Sequence, residues 1–257
     1  MLRAEMEREA RVSLAAYRCL YPGTVELGGV TVLRGNEAPL SPMLNRIIGL
    51  GVDKPATEAA LDEALATIGD DVSFYVAVAP EARPAALTGW LCDRGLEPSW
   101  GWMRFRRGVD ALPDPSTSLR LIRVGQAEAT AFGRVVATGY ALPDAVVSWA
   151  AKAHAIGWDC WLALDGDIPA AAAGVYMAEG VGYLGFAATL PEHRGKGGQN
   201  ALLAARIRHA REAGCDIVVT ETGELQDDRP SSSYRNIIRA GFAEVSVTAN
   251  WLRPARA

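Results

Sequence analysis

The hydrophobic pattern in the second half of the chain predicts a series of strands. Asp159–Leu164, Ala171–Met177 and Val181–Ala188 are apolar stretches of strand length, and Asp165-Gly166 offers a hairpin turn between the first two. Further strands are predicted at residues 119–124, 216–221 and 242–252.

Helical periodicity separates these strands. In Gln199–Ala213 the residues Leu203, Ile207 and Ala210 fall on one face, and Gly214 is suited to ending the helix. Other helices are predicted at residues 126–138, 144–153 and 231–240, the last beginning at a serine cap and ending before a glycine. The second half therefore mixes helices and strands.

The first half follows a similar order of elements. Helices are predicted at residues 4–20, 57–68 and 84–94, and strands at 25–33, 44–50, 73–79 and 99–106. Arg94-Gly95-Leu96 after its last helix corresponds in position to Ala240-Gly241-Phe242. We interpret the order as a diverged internal duplication. The proline- and hydroxyl-rich stretch Gly108–Ser118 is predicted to be an exposed linker, which gives two domains, residues 1–110 and 117–257.

Composition narrows the class of protein. Of 257 residues, 49% are hydrophobic and 22% are charged, which is typical of a globular protein and excludes a fibrous or disordered chain. The formal net charge of −4 gives no reason to expect a nucleic-acid partner. Four cysteines and three histidines are scattered without ligand spacing, so no metal site is predicted.

Neither the N-terminus nor the most apolar segment indicates a membrane. Residues 1–9 are too charged to contain the apolar core of a signal peptide, so a cytoplasmic protein is expected. The apolar segment Ile168–Leu190 is interrupted by Pro169 and by Glu179-Gly180, which favours a buried hairpin over a membrane span.

The segment with the clearest chemistry lies between the last of the three consecutive strands and the helix that follows. Three glycines and two cations meet at the start of this helix, in the order Arg194-Gly195-Lys196-Gly197-Gly198-Gln199. Glycines allow close approach of the backbone to a ligand, and free N–H groups at a helix N-terminus favour an anion. The loop therefore predicts a phosphate or pyrophosphate site.

Two common phosphate motifs do not match this loop. A P-loop requires Ser or Thr after Gly-Lys, where Gly197 stands here. The dinucleotide fingerprint requires a third glycine, and position 200 is Asn200. Because Glu221 ends the next strand, a doubly wound nucleotide-binding oxidoreductase remains a weaker alternative.

The loop, preceded by Pro191-Glu192, resembles the R/Q-x-x-G-x-G/A pyrophosphate loop of the GNAT superfamily of acyl-CoA-dependent N-acyltransferases. Residues 117–257 also resemble that fold in the order of elements, and Gly241-Phe242 resembles its closing G-F pair. The first half resembles a degenerate copy, in which residues 49–55 lack the arginine and contain Asp53. The resemblance implies a mixed α/β fold of tandem GNAT-like domains, each with a central, mostly antiparallel sheet flanked by helices.

The resemblance also implies roles for residues of this chain. Ala187, Ala188 and Thr189 would line the pantetheine arm of acetyl-CoA, and a backbone N–H nearby would polarise the thioester carbonyl. The pyrophosphate would be held by the residues of the loop, namely Arg194, Gly195, Lys196, Gly197, Gly198, Gln199 and Asn200.

Proton transfer is assigned to two residues. Glu221 is the first candidate for the base that deprotonates the amine, ahead of Glu224 and Glu192. The family's frequent tyrosine acid is replaced by Ile237, and either Tyr234, on roughly the same helix face, or water is the candidate donor to the leaving thiolate. A further departure is Pro230 in place of an asparagine.

These assignments lead to a functional hypothesis with one main rival. The chain is predicted to be an acetyl-CoA-dependent N-acetyltransferase that acts on a primary amine of a small molecule or peptide by direct attack, as a monomer or homodimer. The rival is a non-catalytic acyl-CoA-binding sensor, which Ile237 favours. Tyr140, Trp149 and Trp158 are interpreted either as part of an acceptor pocket or as core.

Overall fold

The computed structural model describes residues 2–113, 115–226 and 231–255. Pro230, and Asp114 of the predicted linker, lie outside the described residues. The helices are α1 (Leu2–Arg18), α2 (Glu58–Ile68), α3 (Leu87–Asp93), α4 (Ala129–Gly139), α5 (Ala145–Ala151), α6 (Gly198–Glu212) and α7 (Ser232–Arg239). The strands are β1 (Val25–Leu27), β2 (Val30–Leu33), β3 (Arg46–Ile48), β4 (Phe74–Val78), β5 (Glu97–Gly108), β6 (Arg120–Arg123), β7 (Trp158–Asp165), β8 (Ile168–Ala178), β9 (Val181–Thr189), β10 (Ile217–Gly223) and β11 (Ala243–Arg253).

The elements occur in the predicted order, with one strand divided. The predicted strand 25–33 is a hairpin of β1 and β2, because Gly28 and Gly29 take positive φ angles of 58° and 100° between them. Helix α7 begins as predicted at Ser231, whose side chain accepts a hydrogen bond from the Tyr234 backbone N–H.

The chain divides into two compact units that differ from the predicted domains. The first unit comprises Met1–Leu20, Phe105–Glu221 and Pro230–Glu244, and the second comprises Tyr21–Arg104, Thr222–Arg229 and Val245–Ala257. Helix α1 joins the first unit, because it packs on β8 and β9 and buries Val12 and Ala16. The end of β11 joins the second unit, because Ala249–Arg253 pairs antiparallel with β4. Packing therefore crosses the boundary that composition predicted.

Within the first unit, an antiparallel meander leads into a parallel strand. Strands β6, β7, β8 and β9 pair in sequence order and antiparallel. Helix α6 then connects β9 to β10, which pairs parallel with β9. The core between sheet and helices is lined by large buried side chains, among them Phe132, Leu162, Leu184 and Leu202.

The second unit has the same arrangement of strands and crossover helix. Strands β1, β2 and β3 form an antiparallel meander, and α2 connects β3 to the parallel strand β4. Its core contains Ile47, Leu61, Ile68 and Phe74. The shared order of meander, crossover helix and parallel strand fits the predicted tandem fold.

Among the described residues, no helix combines the length and apolarity needed to cross a membrane.

Candidate active site

A bulge in β9 lies at the centre of the candidate site. Ala172 pairs with Ala188 and Gly174 with Gly185, so Phe186 and Ala187 of β9 oppose Ala173 alone. Phe186 takes a positive φ of 55°, which bends the strand at this point. Ala187 is exposed, whereas Phe186 and Ala188 are buried. The bulge thus exposes Ala187 at the surface.

The same strand loses its parallel partner just before the bulge. The register of β9 with β10 runs from Val181–Ile217 to Leu184–Thr220, and the Thr220 hydroxyl donates to the Leu184 carbonyl over 3.0 Å. From Gly185 onward, β9 has no paired residue on the described part of β10. An edge of this kind can accept the amides of an extended ligand.

The predicted phosphate loop connects this edge to α6. Gly195 and Gly197 take positive φ angles of 81° and 78°, and Gly197 is the N-cap of α6. No side chain caps the helix, so its first N–H groups remain available for an anion. A Cβ atom built at Gly195 would meet no atom within 4 Å, which leaves room for a ligand.

The two loop cations have different surroundings. The Lys196 ammonium donates to the Asp165 carboxylate, which also pairs with His193 Nδ1 at 3.0 Å. Hydrogen bonding from Lys196, and secondarily from His193, lowers the pKa of Asp165. Arg194 is exposed and forms no ion pair with any residue that the structure describes. Arg194 is therefore the loop cation that is available to a phosphate without exchanging partners.

Gln199 anchors the start of α6 to the sheet. The two N–H groups of its Nε2 are shared among three acceptors, the Ala188 carbonyl at 2.7 Å, Thr189 Oγ1 at 3.1 Å and the Ala172 carbonyl at 3.3 Å. Its side chain thus holds the loop in place beside the end of β9, and its backbone lies in the uncapped first turn of α6.

The predicted linker also packs on the loop. Thr117 Oγ1 donates to the Lys196 carbonyl over 2.7 Å, and a Cβ at Gly197 would lie 2.7 Å from the Ser116 carbonyl oxygen. These residues support the loop, so this part of the stretch is not a free linker.

Glu221, the candidate base, contacts a residue that sequence analysis did not identify. Glu221 is half-buried near the end of β10, and Tyr17 of α1 donates to its Oε2 over 3.3 Å. The Tyr17 hydroxyl also lies 2.6 Å from that of Tyr183 on β9. Position 17 lies beside the buried face of α1, but nothing in the sequence relates it to Glu221.

The other two candidate carboxylates are placed differently. Glu224 accepts a hydrogen bond from the Gly101 backbone N–H over 2.6 Å and so fastens its own loop to β5. Glu192 is exposed in the short turn that precedes Arg194.

Tyr234 is buried and already has a partner. Its hydroxyl donates to Glu244, and its ring meets Phe105 edge-on with centroids 4.9 Å apart. Desolvation, followed by this hydrogen bond, raises the pKa of Tyr234 to about 12. The structure describes no hydrogen bond between Tyr234 and either Glu221 or the bulge of β9.

Three aromatic residues were interpreted from the sequence either as part of an acceptor pocket or as core, and they lie in different environments. Trp149 and Trp158 are buried, and their indole N–H groups donate to the carbonyls of Leu20 and Ala16 at the end of α1. Tyr140 is 38% exposed, and its hydroxyl is close enough to the Ala187 main chain for that main chain to lower its pKa slightly. Desolvation of this hydroxyl raises the pKa of Tyr140 to about 12.

The corresponding loop of the second unit is closed. A Cβ at Gly51 would lie 2.6 Å from the Arg83 carbonyl oxygen, and the backbone of Arg83 bonds to Gly51 and Ala56. The side chain of Thr57 caps α2 by accepting from the Ala60 N–H. Residues 49–57 thus lack the open, uncapped helix start found at Gly197.

Comparisons with known proteins agree with this geometry. Residues 137–229 match the model of the acetyltransferase (GNAT) family. A GCN5-related N-acetyltransferase from Kribbella flavida has a similar structure, with a TM-score of 0.66, 22% identity, and coverage of 97% of this chain and 96% of that one. A tandem GNAT protein from the clavulanic acid biosynthesis pathway has a TM-score of 0.63 and 15% identity, with coverage of 96% and 88%.

One curated sequence relative is described as a different kind of enzyme, not as an acetyltransferase. The bifunctional glutamine synthetase adenylyltransferase/adenylyl-removing enzyme of Streptomyces avermitilis is 33% identical over 145 residues, which is 56% of this chain and 14% of that protein. The chain therefore spans only a small part of that relative. The chain therefore has the fold of the GNAT acetyltransferases, which supports acyl transfer from acyl-CoA, and its match to the model of that family lies at residues 137–229.

Proposed function

We propose that this protein is an acetyl-CoA-dependent N-acetyltransferase, which transfers an acetyl group to a primary amine of a small molecule or peptide by direct attack. The observation that carries the proposal is the open, uncapped start of α6 beside the exposed bulge of β9. One end of this arrangement suits a pyrophosphate, and the other suits an extended chain of amides ending in a thioester.

The residues of the loop and bulge fit acetyl-CoA. The N–H groups of Gly198, Gln199 and Asn200 and the Arg194 guanidinium would hold the pyrophosphate. Residues Ala187, Ala188 and Thr189 lie on the edge of β9 that is not paired with β10. Backbone groups of Ala187 and Thr189 would pair there with the pantetheine amides. Bound there, acetyl-CoA supplies the activated acyl group.

Glu221 is the proposed base. The attacking amine must be neutral, and the half-buried carboxylate of Glu221 near the end of β10 would take its proton. Protonation of the departing thiolate has two candidate donors. Tyr234 is the residue to which the family resemblance points, and Tyr140 is the tyrosine whose hydroxyl approaches the Ala187 main chain.

A thermal-shift titration with acetyl-CoA, CoA and NADPH tests the proposal. A ligand that binds only the folded state raises the Tm, and a Gly195→Glu variant should abolish the shift by placing a carboxylate in the phosphate space. Gly214→Glu is the matched control, because Gly214 also has a positive φ with no atom within 4 Å and follows the other end of α6.

Turnover separates the enzyme from its rivals. When acetyl-CoA is mixed with a panel of primary amines, we expect at least one amine to cause release of the CoA thiol. A non-catalytic sensor would not release it. Stabilisation by acetyl-CoA without turnover of any amine would favour the non-catalytic sensor. Stabilisation by NADPH alone would favour the nucleotide-binding oxidoreductase.

A further inference from the structure

Arg206 is a buried cation directly behind the bulge of β9. The residue is 3% exposed and lies on α6 among the apolar residues Leu202, Leu203 and Ile207. Among the described residues it forms no ion pair with a carboxylate. Burial is the main reason that the pKa of Arg206 is lowered, to about 10.

The guanidinium of Arg206 bonds only to backbone carbonyls among the described residues. Its Nε donates to the Leu202 carbonyl over 3.1 Å, which turns the side chain back along its own helix. Its Nη1 donates to the carbonyls of Gly174 and Gly185, each over 3.2 Å. Gly174 and Gly185 are the paired residues that begin the bulge, so Arg206 joins α6 to β8 and β9 at this point.

Filling space in the core does not by itself explain a charge at this position. Burying a cation without a carboxylate is costly, and an apolar side chain would fill the same space without that cost. A bulge interrupts the ladder and leaves main-chain groups without partners, and Arg206 supplies two donors there. Its positive charge also acts on the Tyr140 hydroxyl, which interacts with the Ala187 main chain of the bulge.

Resting on the proposed function, we propose that Arg206 is a positioning residue for acyl transfer. It fixes the bulge so that a backbone N–H of this segment meets the acyl oxygen, and its uncompensated charge stabilises the negative charge that develops on that oxygen during attack. Because this charge develops in the transition state, Arg206 should influence kcat more than the binding of acetyl-CoA.

The test compares Arg206→Gln, Arg206→Lys and Arg211→Gln. The Arg211 control removes the same charge from an exposed position on the same helix. We expect R206Q to lower kcat by about 10- to 100-fold, with the KM for acetyl-CoA changed less than about threefold. R206K, which keeps the charge, should recover part of the loss, and R211Q should match the wild type.

Hydrogen exchange of the folded variants provides a second readout that does not need turnover. R206Q should speed exchange in the peptide 181–189, which contains the bulge, and leave 158–165 unchanged. A folded R206Q with wild-type kcat, or with kcat and acetyl-CoA affinity reduced in equal proportion, would overturn the inference. If R206Q does not fold, R206K decides: a reduced kcat with unchanged KM supports the inference, and a wild-type kcat overturns it.

The results that would overturn the acetyltransferase proposal differ from those that would overturn the role of Arg206 alone. A wild-type protein that neither binds acetyl-CoA nor releases its thiol would overturn the acetyltransferase proposal and, with it, the role of Arg206. An active wild type with an unaffected R206Q would overturn the role of Arg206 alone.

Discussion

The hydroxyl of Tyr17 on α1 lies 2.6 Å from the hydroxyl of Tyr183 on β9. Either hydroxyl can be the donor in this pair, and Tyr17 also donates to Glu221 over 3.3 Å. The N-terminal helix thereby contributes to the surroundings of the proposed base. A chain of this kind can hold the carboxylate in one orientation.

Replacing Glu221 tests its role as the base. We expect Glu221→Gln to lower kcat by about 10²- to 10⁴-fold, because the amide cannot accept a proton from the amine. The KM for acetyl-CoA should change little, and the measurement is a pH profile of thiol release. Glu192→Gln is the control, since Glu192 is exposed ahead of the loop. Retention of full activity by E221Q would exclude this role.

Replacing Tyr140 and Tyr234 in turn with phenylalanine tests which of them protonates the departing thiolate. Tyr140→Phe is expected to lower kcat about tenfold or more, since its hydroxyl approaches the Ala187 main chain. Tyr234→Phe should instead cost about 1 kcal/mol of unfolding free energy, through loss of its hydrogen bond to the Glu244 carboxylate. Steady-state kinetics and urea unfolding measure the two effects. A loss of kcat in Tyr234→Phe with a wild-type kcat in Tyr140→Phe would assign the role of acid to Tyr234.

Arg194 should contribute to binding more than to turnover. Arg194→Gln is expected to raise the Kd for acetyl-CoA about 5- to 30-fold, since a charge-assisted bond to a phosphate is worth roughly 1–2 kcal/mol. Isothermal titration at two salt concentrations measures the change, and the wild type should lose more affinity with salt than the variant. Arg211→Gln, at the far end of α6, controls for net charge.

Asp165 should make the stability of the protein depend on pH in acid. Its folded-state pKa is lowered by hydrogen bonds from Lys196 and His193, so its stabilising contribution is present above the unfolded pKa, about 4. That contribution is lost as the pH falls through the lower, folded-state pKa. We therefore expect wild-type stability to decrease more steeply than that of Asp165→Asn when urea unfolding is followed from about pH 5 to pH 3. Parallel curves would contradict the assignment.

Gly139 permits close packing of α4 on β9. A Cβ there would lie 2.8 Å from the Ala188 Cβ and 3.3 Å from the Thr189 backbone nitrogen. Gly139→Ala should therefore destabilise the protein by about 1–3 kcal/mol through overpacking. Gly89→Ala is the matched control: it lies in α3 with no atom within 4 Å, and alanine should be neutral or stabilising there. Thermal unfolding of both variants gives the comparison.

The sequence alone indicated the elements and the phosphate loop. Continuous apolar stretches located the strands β7, β8 and β9 because most of their residues are buried, and helical periodicity located α6. The loop was visible for a similar reason, since glycines at positive φ and cations beside a helix start are local requirements. The N-cap at Ser231 is another such signal.

Relationships between distant parts of the chain required the tertiary structure. Linear composition placed α1 with the residues that follow it, whereas its apolar face packs on β8 and β9 and brings Tyr17 to Glu221. Arg206 reads in the sequence as one more charge on a helix, and only the fold reveals that it is buried behind the bulge. Side-chain pattern records whether a position is buried, but which distant backbone or side-chain group it meets depends on how the elements pack.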